Sequence, residues 1–344
     1  MDVSICILTY NEEINIRDCL ESVLNQKNYS GNWEIIVVDG KSTDNTISII
    51  EDMQNIHGSI KLITNKKRKI APGRNLGVRE ARYSFIAFTD SDCIVPRNWL
   101  QKLSDEYEGL AERENIIAGV GGGNIPGNDG SKFCQALGVY LDTILGSFNS
   151  PQGRNFMAVT QVKSLACLNV LYNKDSIMEV GGFDEDMGNI GEDLDINIRL
   201  NANSFKLYFV PDIPVLHKLR PDFLSWLKNM ALYGKGRAIV TFKHNLFCNY
   251  FFLLPLCFII IMILTPLGVM NQLFFLSLLY FPIICGYTLV VTLKKNKSML
   301  YFETLMIFIL THFVYSFNLL FHSLLILLLR LDRSIASHEK VEVS

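Results

Sequence analysis

The sequence predicts an α/β fold, with a mostly parallel sheet and helices on both of its faces, followed by a C-terminal transmembrane helical region. Between residues 3 and 90, apolar strand-like runs alternate with segments of helical periodicity, which is typical of a parallel sheet covered on both faces. Residues 246–329 are instead dominated by Leu, Ile, Phe, Val and Tyr, and their formal charges are Lys294, Lys295, Lys297 and Glu303. A spanning helix needs about 20 apolar residues, so this region is long enough for several.

The first part of the N-terminal domain contains four strand-like runs. The predicted strands are residues 3–9, 34–40, 60–64 and 83–90, and the predicted helices follow near Ile16, after Asp44 or Asn45, and at 73–82. Ligands of parallel α/β sheets bind beyond the carboxyl ends of the strands. We therefore expect the polar turns at 9–11, 39–44 and 90–92 to converge on one site, although they are distant in sequence.

The second half of this domain is less regular. It contains a strand and a glycine-rich loop from residue 116, a turn-rich acidic loop that enters a helix near residue 192, and two short strands within 205–217. On the helix, Leu194, Ile198 and Leu200 are the candidates for the buried side.

The membrane region divides into three apolar stretches, near residues 246–270, 272–293 and 299–329, and we expect two to four helices, most simply three. The last stretch fits either one long span or a bent pair. The lysines before it lie in the cytoplasm under the positive-inside rule, which makes this a multi-pass protein of the cell membrane with a cytoplasmic N-terminal domain. The predicted parts are a catalytic domain (1–221), a basic amphipathic interfacial segment (222–245), transmembrane helices (246–330) and a polar tail (331–344).

Composition argues against several other classes of protein. The formal net charge of −2 argues against nucleic acid as a partner, which normally requires a basic domain. The eight cysteines are scattered without a Cys-x-x-Cys pair, so we expect reduced thiols and no disulfide or zinc framework. The opening "MDVSICILTYNEE" has too short an apolar part for a signal peptide, and we expect the folded domain to begin there.

Acidic residues follow two of the predicted strands. In "FTDSDC" (88–93), Asp90 and Asp92 can face one cation, because Mg²⁺ and Mn²⁺ commonly take one or two carboxylates together with phosphate oxygens. Taken alone, the motif fits a solvated turn equally well. In "VVDGKSTDNT", Asp39 can accept hydrogen bonds from a nucleobase or ribose, whereas helix capping explains Asp44.

Three further places could carry chemistry. In "NKKRKIAPGRN" (65–75), cations beside a helix N-terminus suit a pyrophosphate, with Arg74 the best candidate and a solvated loop the alternative for the lysines. Glu192 and Asp193 lie in a first helical turn, where either capping or general-base chemistry fits a carboxylate. His217 ends a short strand and is either a neutral metal ligand or a surface histidine.

In this order, the segments resemble the family 2 inverting glycosyltransferases of the GT-A fold. The resemblance covers about residues 3–240 and rests on "ILTYNEE", "EIIVVDGKSTDNT", "GRNLGVREA", "FTDSDC", "GGFDE" and "GEDLDINIRL". Each segment is modestly specific, and their ordered spacing is far more so. The resemblance implies a nucleotide pocket, with Asp39 near the base and Asp90 near the ribose. The residues that would line it are Thr9, Tyr10, Glu12, Asp39, Arg74 and Asp90.

The same resemblance implies the remaining roles. Asp92 would bind a divalent metal, Mn²⁺ or Mg²⁺, and His217 matches the position of a further metal ligand in many GT-A enzymes. Asp193 would be the catalytic base. Glu192 and Arg237 are weaker candidates for contact with the diphosphate or the acceptor; for Arg237, a cation in the membrane interface is the alternative.

Two departures from related enzymes narrow the expected reaction. Processive synthases carry Gln-x-x-Arg-Trp before the membrane, whereas this chain reads "ALYGKGRA" (231–238), which disfavours a processive enzyme. Polyprenyl-phosphate sugar synthases need no base, whereas "GED" favours a hydroxyl acceptor. We therefore expect a metal-dependent, inverting hexosyltransferase that moves a sugar from a UDP- or GDP-sugar to a lipid-linked glycan at the cytoplasmic membrane face.

Three rivals remain. A polyprenyl-phosphate glycosyltransferase would use a phosphate acceptor and would tolerate loss of Asp193. A nucleotidyltransferase usually has a glycine-rich N-terminal loop, which "ILTYNEE" lacks. A membrane scaffold with an inactive domain would not need Asp39, Asp92 and Asp193 together.

Overall fold

The computed structural model describes residues 1–114, 116–127, 131–147, 158–218, 222–265 and 271–342. The chain divides into two compact units. The first consists of residues 1–129 and 141–219, and the second of residues 130–140 and 220–344. Residues 130–140 thus group with the C-terminal part of the chain.

Eleven strands occur in the described part of the first unit. They are β1 Val3–Thr9, β2 Trp33–Asp39, β3 Ile60–Thr64, β4 Phe85–Asp90, β5 Cys93–Ile94, β6 Ile117–Gly121, β7 Asn124–Pro126, β8 Thr160–Val162, β9 Asn169–Asn173, β10 Lys206–Phe209 and β11 Val215–His217. Eight of them form one sheet in the order β3-β2-β1-β4-β9-β6-β10-β8, and β5-β11-β7 form a small second sheet. The large sheet is mostly parallel, as predicted; β9 is antiparallel to both neighbours, and β8 is antiparallel to β10.

Helices cover both faces of the large sheet. The helices up to residue 202 are α1 Ile16–Leu24, α2 Thr46–Ile56, α3 Ile70–Glu80, α4 Trp99–Ala111, α5 Lys132–Leu141, α6 Ile144–Ser147, α7 Lys174–Glu179 and α8 Glu192–Ala202. Successive residues of a strand point to opposite faces. On β1, Ile5 and Ile7 therefore pack with α1, α2 and α4, whereas Cys6 packs with α3, α7 and α8. Burial on both faces explains why the first strands are continuously apolar.

The strand register brings the predicted turns to one edge of this sheet. Thr9, the last residue of β1, pairs with Asp39, the last residue of β2. On the other side of β1, Leu8 pairs with Asp90, the last residue of β4. The expected convergence of the three polar turns is therefore confirmed.

Helix α8 buries a face that agrees only in part with the one predicted. Leu200 is buried as predicted, but Leu194 and Ile198 are only partly buried, and Ile196 is buried in the core as well. Asp195 and Asn197 are also fully buried. Their polar groups have partners inside the unit, because Arg199 donates to Asp195 at 2.7 Å and the Tyr172 hydroxyl donates to Asn197 at 2.8 Å. Such pairing offsets the cost of burying polar groups.

The second unit is helical. Besides α5, it contains α9 Phe223–His244, α10 Tyr250–Leu264, α11 Asn271–Lys294 and α12 Tyr301–Glu342. Helices α9 and α12 approach closely at Gly234, where a Cβ atom would lie 2.3 Å from the backbone oxygen of Tyr315. Trp226 also donates its indole N–H to the Thr311 hydroxyl at 2.9 Å.

Among the described residues, the helical stretch Ser298–Leu329 is long and apolar enough to cross a membrane, and it is unbroken rather than a bent pair. Helix α10 has 15 residues, about 22 Å at 1.5 Å per residue, which is short of the ~30 Å hydrocarbon core. Residues 266–270 of the predicted first span lie outside the described residues. Within α11, residues 279–294 form a second short apolar helical stretch.

Candidate active site

The ends of β1 and β2 form the first part of the site. Asp39 is 1% exposed, and its carboxylate accepts hydrogen bonds from the Ser42 hydroxyl and, at 2.9 Å, from the Ser42 N–H. Thr9 is also buried, and its hydroxyl has no hydrogen-bond partner within the described chain. Tyr10 is half exposed and packs beside Gly40, where a Cβ would meet its ring at 3.3 Å.

The loops after these two strands are joined by reciprocal hydrogen bonds. The Thr43 N–H donates to Asn11 Oδ1 at 2.8 Å, and the Asn45 N–H donates to Glu13 Oε2 at 3.0 Å. The Glu12 N–H donates to the Thr46 hydroxyl at 2.8 Å. Because each loop supplies partners for the other, the two strand ends are held in a fixed relation.

Other bonds in these loops place the remaining carboxylates. Asp44 precedes Asn45, the N-cap residue of α2, and accepts the N–H of Thr46, the first residue of the helix, at 3.0 Å. The Glu12 carboxylate accepts from the Asn15 side chain at 2.8 Å. Ser42, as the partner of Asp39, was missed by sequence reasoning. The spacing Asp-x-x-Ser in a turn was the available signal, because Asp side chains commonly accept from groups a few residues further on.

Asp92 and His217 are brought together by the small sheet. Strand β5 begins directly after Asp92 and pairs antiparallel with β11, so that His217 lies opposite Cys93. His217 Nε2 is 3.1 Å from Asp92 Oδ2, and the Lys218 N–H donates to the Asp92 backbone oxygen at 2.8 Å. The two-residue strand therefore explains how side chains 125 positions apart come into contact.

This contact controls the charge of both groups. Burial acts to raise the pKa of Asp92, but the charge and hydrogen bond of His217 outweigh it, so the pKa lies below its ordinary value. Burial likewise acts to lower the pKa of His217, but Asp92 and Asp90 raise it above its ordinary value.

The donor set at this place fits a hard divalent cation. Ligand atoms of Asp92, Cys93 and His217 all lie within 4.8 Å of one another. Burial and the charges of Asp92 and Asp90 raise the pKa of the Cys93 thiol, which instead donates to Asp92 at 3.7 Å. A carboxylate and an imidazole remain, an open set that suits Mn²⁺ or Mg²⁺ together with oxygen ligands from a substrate better than a closed zinc site.

Arg74 lies beneath the site with only 4% of its surface exposed. Its Nη2 donates to Asp90 Oδ1 and its Nε donates to Glu192 Oε1, both at 3.4 Å, while the guanidinium lies 5.4 Å from the centre of the Phe88 ring. Burial alone would lower the pKa of Arg74, but Cys167 and the nearby carboxylates raise it above its ordinary value. The guanidinium therefore remains charged.

Helix α3 begins at Ile70, three residues before the predicted start, so Arg74 lies in its second turn. The Ile70 N–H donates to Asn189 Oδ1 at 2.9 Å, and the Ala71 N–H donates to the Gly188 backbone oxygen at 3.1 Å. These two N–H groups are therefore already hydrogen-bonded within the protein. They are not available to the pyrophosphate that the sequence had suggested at this N-terminus.

Glu192 and Asp193 open helix α8, directly after Gly191, whose φ of 76° requires the left-handed conformation that glycine adopts readily. Asp193 is partly exposed, and its Oδ1 accepts the Leu194 N–H at 2.7 Å. Glu192 is 6% exposed. Burial and the charge of Asp193 raise the pKa of Glu192 to about 7, although Arg74 opposes this.

Arg237 is the predicted residue that belongs to the second unit. It lies on α9, and its guanidinium is 5.5 Å from the centre of the Phe251 ring. The other candidates, Thr9, Tyr10, Glu12, Asp39, Arg74, Asp90, Asp92, Glu192, Asp193 and His217, all belong to the first unit.

Comparison with known families agrees with this arrangement. The family model described as "Glycosyl transferase family 2" matches residues 4–121. The model described as "Glycosyl transferase family group 2" matches residues 85–331, which is well over half of the chain. The chain belongs to the family 2 glycosyltransferases.

Curated relatives of this family 2 glycosyltransferase carry the same activity in their names. The "Dolichyl N-acetyl-alpha-D-glucosaminyl phosphate 3-beta-D-2,3-diacetamido-2,3-dideoxy-beta-D-glucuronosyltransferase" of Methanococcus voltae is 28% identical over 76% of this chain and 80% of its own length. "Glycosyltransferase AglE" of Haloferax volcanii is 25% identical over 78% of this chain and 84% of its own. An Escherichia coli enzyme named "UDP-Glc:alpha-D-GlcNAc-diphosphoundecaprenol beta-1,3-glucosyltransferase WfgD" is 31% identical over 50% of this chain and 60% of its own.

Solved structures support the GT-A fold of this glycosyltransferase. The mannosyltransferase PcManGT from Pyrobaculum calidifontis, in complex with GDP-Man and Mn²⁺, has a TM-score of 0.60 at 16% identity and covers 89% of this chain and 86% of its own. GalNAc-T7 with UDP, GalNAc and Mn²⁺ has a TM-score of 0.52 at 17% identity and covers 70% of this chain and 47% of its own. Both enzymes were solved with Mn²⁺ and a nucleotide or nucleotide sugar.

Proposed function

We propose that this glycosyltransferase moves a sugar, with inversion of configuration, from a UDP- or GDP-sugar to a hydroxyl of a lipid-linked glycan, in a reaction that requires a divalent cation. One observation carries the proposal: the open Asp92–His217 donor pair and a second acidic centre, Asp193 in the first turn of α8, are linked through the buried side chain of Arg74. Arg74 contacts Asp90, two residues before Asp92, and Glu192, the residue before Asp193.

The donor nucleotide is assigned to the edge formed by β1, β2 and β4. Asp39 accepts from the base in place of its present bonds to Ser42, and Tyr10 offers its half-exposed ring beside it. Asp90 faces the ribose. Thr9 and Glu12 complete the wall, and Arg74 lies behind Asp90.

The diphosphate is assigned to the side of the site at Asp92 and His217. These residues would hold Mn²⁺ or Mg²⁺ through a carboxylate oxygen and an imidazole nitrogen. When bound there, a divalent cation supplies positive charge that stabilises the departing diphosphate. Arg237 is a further candidate for contact with the diphosphate, carried over from the sequence.

Asp193 is assigned as the general base. Its carboxylate takes the proton of the acceptor hydroxyl while the oxygen forms a bond to the anomeric carbon, and the bond from that carbon to the diphosphate oxygen breaks. One in-line displacement inverts the configuration. Glu192 is buried against Arg74, which leaves the partly exposed Asp193 as the carboxylate that an acceptor can reach.

A lipid-linked acceptor is supported by two relatives. The names of the Methanococcus voltae and Escherichia coli enzymes contain a dolichyl phosphate and a diphosphoundecaprenol acceptor. The long apolar helix Ser298–Leu329 of this chain suits a membrane anchor. We propose that α10 and α11 add further spans and that the first unit lies on the cytoplasmic side, where lysines 294, 295 and 297 also lie under the positive-inside rule.

A binding and turnover screen with the full-length protein in detergent tests this function. UDP and GDP are titrated with Mn²⁺ and with EDTA, and UDP- and GDP-sugars are then supplied with lipid-linked acceptors. We expect one nucleotide to bind more tightly with Mn²⁺, and its sugar to be transferred. Binding of neither nucleotide, or transfer that is unchanged in EDTA, would contradict the proposal.

A further inference from the structure

The segment that leads to Asp193 has little regular structure of its own. Between α7 and α8 it contains one 3₁₀ turn, Glu185–Met187. Gly182 and Gly191 have φ values of 74° and 76°, which L-residues with a side chain rarely adopt. Such a path is not fixed by repetitive backbone hydrogen bonds, so its position depends on contacts with other elements.

Asn75 of α3 supplies the most specific of these contacts. Its Nδ2 donates to the Phe183 backbone oxygen at 2.7 Å, and its Oδ1 accepts the Phe183 N–H at 2.8 Å. The side-chain amide thus pairs with both backbone groups of one residue, as a neighbouring strand would. A Cβ at Gly182 would lie 2.8 Å from Asn75 Oδ1, so the adjacent glycine leaves room for this bond.

The beginning of α3 holds two more parts of the same segment. As described above, the first two N–H groups of the helix donate to Asn189 and Gly188. Lys67, just before the helix, forms an ion pair with Glu185. The segment 183–189 is therefore bound to α3 at several successive points.

Arg74 extends this attachment to the site. Its guanidinium contacts Glu192, the residue before Asp193, and Asp90, at the end of β4 two residues before Asp92. At 4% exposure it offers little surface to a nucleotide. Its buried Nη1 atom has no hydrogen-bond partner within the described chain. One buried cation therefore connects the helix that carries Asp193 with the strand end that carries Asp92.

We propose that Asn75 and Arg74 are positioning residues, which set the distance between Asp193 and the Asp90–Asp92 strand end. Arg74 acts through Glu192 and Asp90 and does not contact the nucleotide. The inference rests on the proposed function, because it assigns Asp193 to the reaction. A misplacement of about 1 Å in a reacting group can cost on the order of 100-fold in rate, so loss of either residue affects turnover first.

The test compares Asn75→Ala, Asn75→Asp and Arg74→Lys in the full-length protein. Asn75→Asp keeps an acceptor for the Phe183 N–H but loses the donor to the Phe183 oxygen. Lysine keeps a charge at position 74 but cannot make both guanidinium contacts. We expect kcat to fall by about 10- to 100-fold in each variant, while the KM for the donor sugar and the affinity for UDP or GDP with Mn²⁺ change less than about twofold.

Two matched substitutions control for general damage. Arg79→Lys changes an exposed arginine of the same helix, and Asn203→Ala removes a side-chain amide that donates to Arg199 at the end of α8. Both should keep the kcat of the wild-type enzyme. Hydrogen exchange of residues 183–193, measured with UDP or GDP and Mn²⁺ bound, should increase in the Asn75 variants and stay unchanged in the controls.

Each other outcome has a definite meaning. A weaker nucleotide affinity with unchanged kcat in Arg74→Lys would make Arg74 a nucleotide contact and overturn its assignment. An unchanged kcat per nucleotide-binding site in Asn75→Ala, even with a lower melting temperature, would make Asn75 merely structural and overturn its assignment. If the wild-type protein transfers no sugar from any UDP- or GDP-sugar, the proposed function itself fails, and the positioning inference fails with it.

Discussion

The carboxylates of the candidate active site differ in their surroundings, and we assign their roles from these differences. Asp39 is fully buried, and Ser42 donates to both of its oxygens. Asp92 faces an imidazole, which lowers its pKa against the effect of burial. Glu192 is buried beside another carboxylate, and its pKa is raised to about 7. Four carboxylates with similar chemistry can thus serve recognition, metal binding, structural pairing and, at Asp193, proton transfer.

Asp92→Asn tests the proposed cation site. The amide keeps the size of the side chain but removes the negative charge that attracts a divalent ion. We expect transfer to fall by more than about 100-fold, beyond the 10- to 100-fold typical of residues that only support a ligand. Turnover is measured against Mn²⁺ concentration, with Asp52→Asn, a change at an exposed carboxylate of α2, as the control. Wild-type Mn²⁺ dependence in Asp92→Asn would rule out this site.

Glu192→Gln tests the buried charge at Arg74. Below pH 4.5, Glu192 is protonated in both the folded and the unfolded protein, so its raised pKa does not lower the stability of the fold. As the pH rises from 4.5 to about 7, the unfolded carboxyl ionises before the folded one, and the wild-type protein loses stability. This pKa shift lowers the free energy of unfolding of the wild-type protein by on the order of 3 kcal/mol, and the full loss is reached above pH 7.

The direction of this stability change is checked by measuring the melting temperatures of the wild-type protein and of Glu192→Gln in the same detergent. From pH 5 to pH 8, the melting temperature of Glu192→Gln should rise relative to that of the wild-type protein. A difference that stays constant over this range, or that changes in the opposite direction, would show that the pKa of Glu192 is not raised by folding.

At the scale of the elements, the contact of α9 with α12 depends on the absence of a side chain. A Cβ at Gly234 would lie 2.3 Å from the Tyr315 backbone oxygen, whereas a Cβ at Gly286 in α11 would meet nothing within 4 Å. Gly234→Ala should therefore destabilise the second unit by about 1–3 kcal/mol through overpacking. Gly286→Ala is the matched control and should not lower the melting temperature in detergent. Equal effects of the two substitutions would contradict this packing.

Strands β1 to β4 could be predicted from the sequence, because each is a short continuous apolar run that ends at a polar turn. The bounds of β1 and β3 agree with the prediction, and β2 and β4 differ by one or two residues. The order of these strands in the sheet could not be predicted from any single segment. The convergence of Asp39 and Asp90 followed only from the general geometry of parallel sheets.

Strand β9 was not predicted. Its sequence "NVLYN" begins and ends with asparagine, and these residues are depleted in strands. Tertiary contacts outweigh this preference, because Asn169 is fully buried, accepts the Trp99 indole N–H at 2.7 Å and donates to the backbone oxygens of Gly123 and Ile213. No periodic signal in one sequence reports such a network.

The buried side of α8 was predicted only in part, for a related reason. Burial was expected of Leu194, Ile198 and Leu200, and of these Leu200 is buried. Asp195 and Asn197 are buried as well, with polar partners of their own in Arg199 and Tyr172. Hydrophobic pattern alone misses a polar residue whose partner lies elsewhere in the fold. The same limit applies to Asn75, whose contact with Phe183 spans 108 positions of the chain.

For the whole molecule, the proposed orientation places the first unit and the lysines between α11 and α12 on the same side of a membrane. Ser298→Cys places a thiol in the exposed turn before α12, beside Lys297. In intact cells, a membrane-impermeant maleimide should label this variant no more than the wild-type protein, and lysis should add label. Val269→Cys lies at the end of the first predicted apolar stretch (246–270), on the opposite side of the membrane under the same rule, and should be labelled without lysis. The reverse pattern would contradict the proposed orientation.

Asp193→Asn tests whether Asp193 is the general base. The full-length variant is compared with the wild-type enzyme in two measurements: transfer of sugar to a lipid-linked acceptor, and binding of UDP or GDP with Mn²⁺. Because the amide cannot take the acceptor proton, we expect transfer to fall by at least about 100-fold, while nucleotide affinity changes less than about twofold. Transfer at the wild-type rate would contradict a base at Asp193 and favour a phosphate acceptor, and parallel loss of nucleotide binding would make the residue structural.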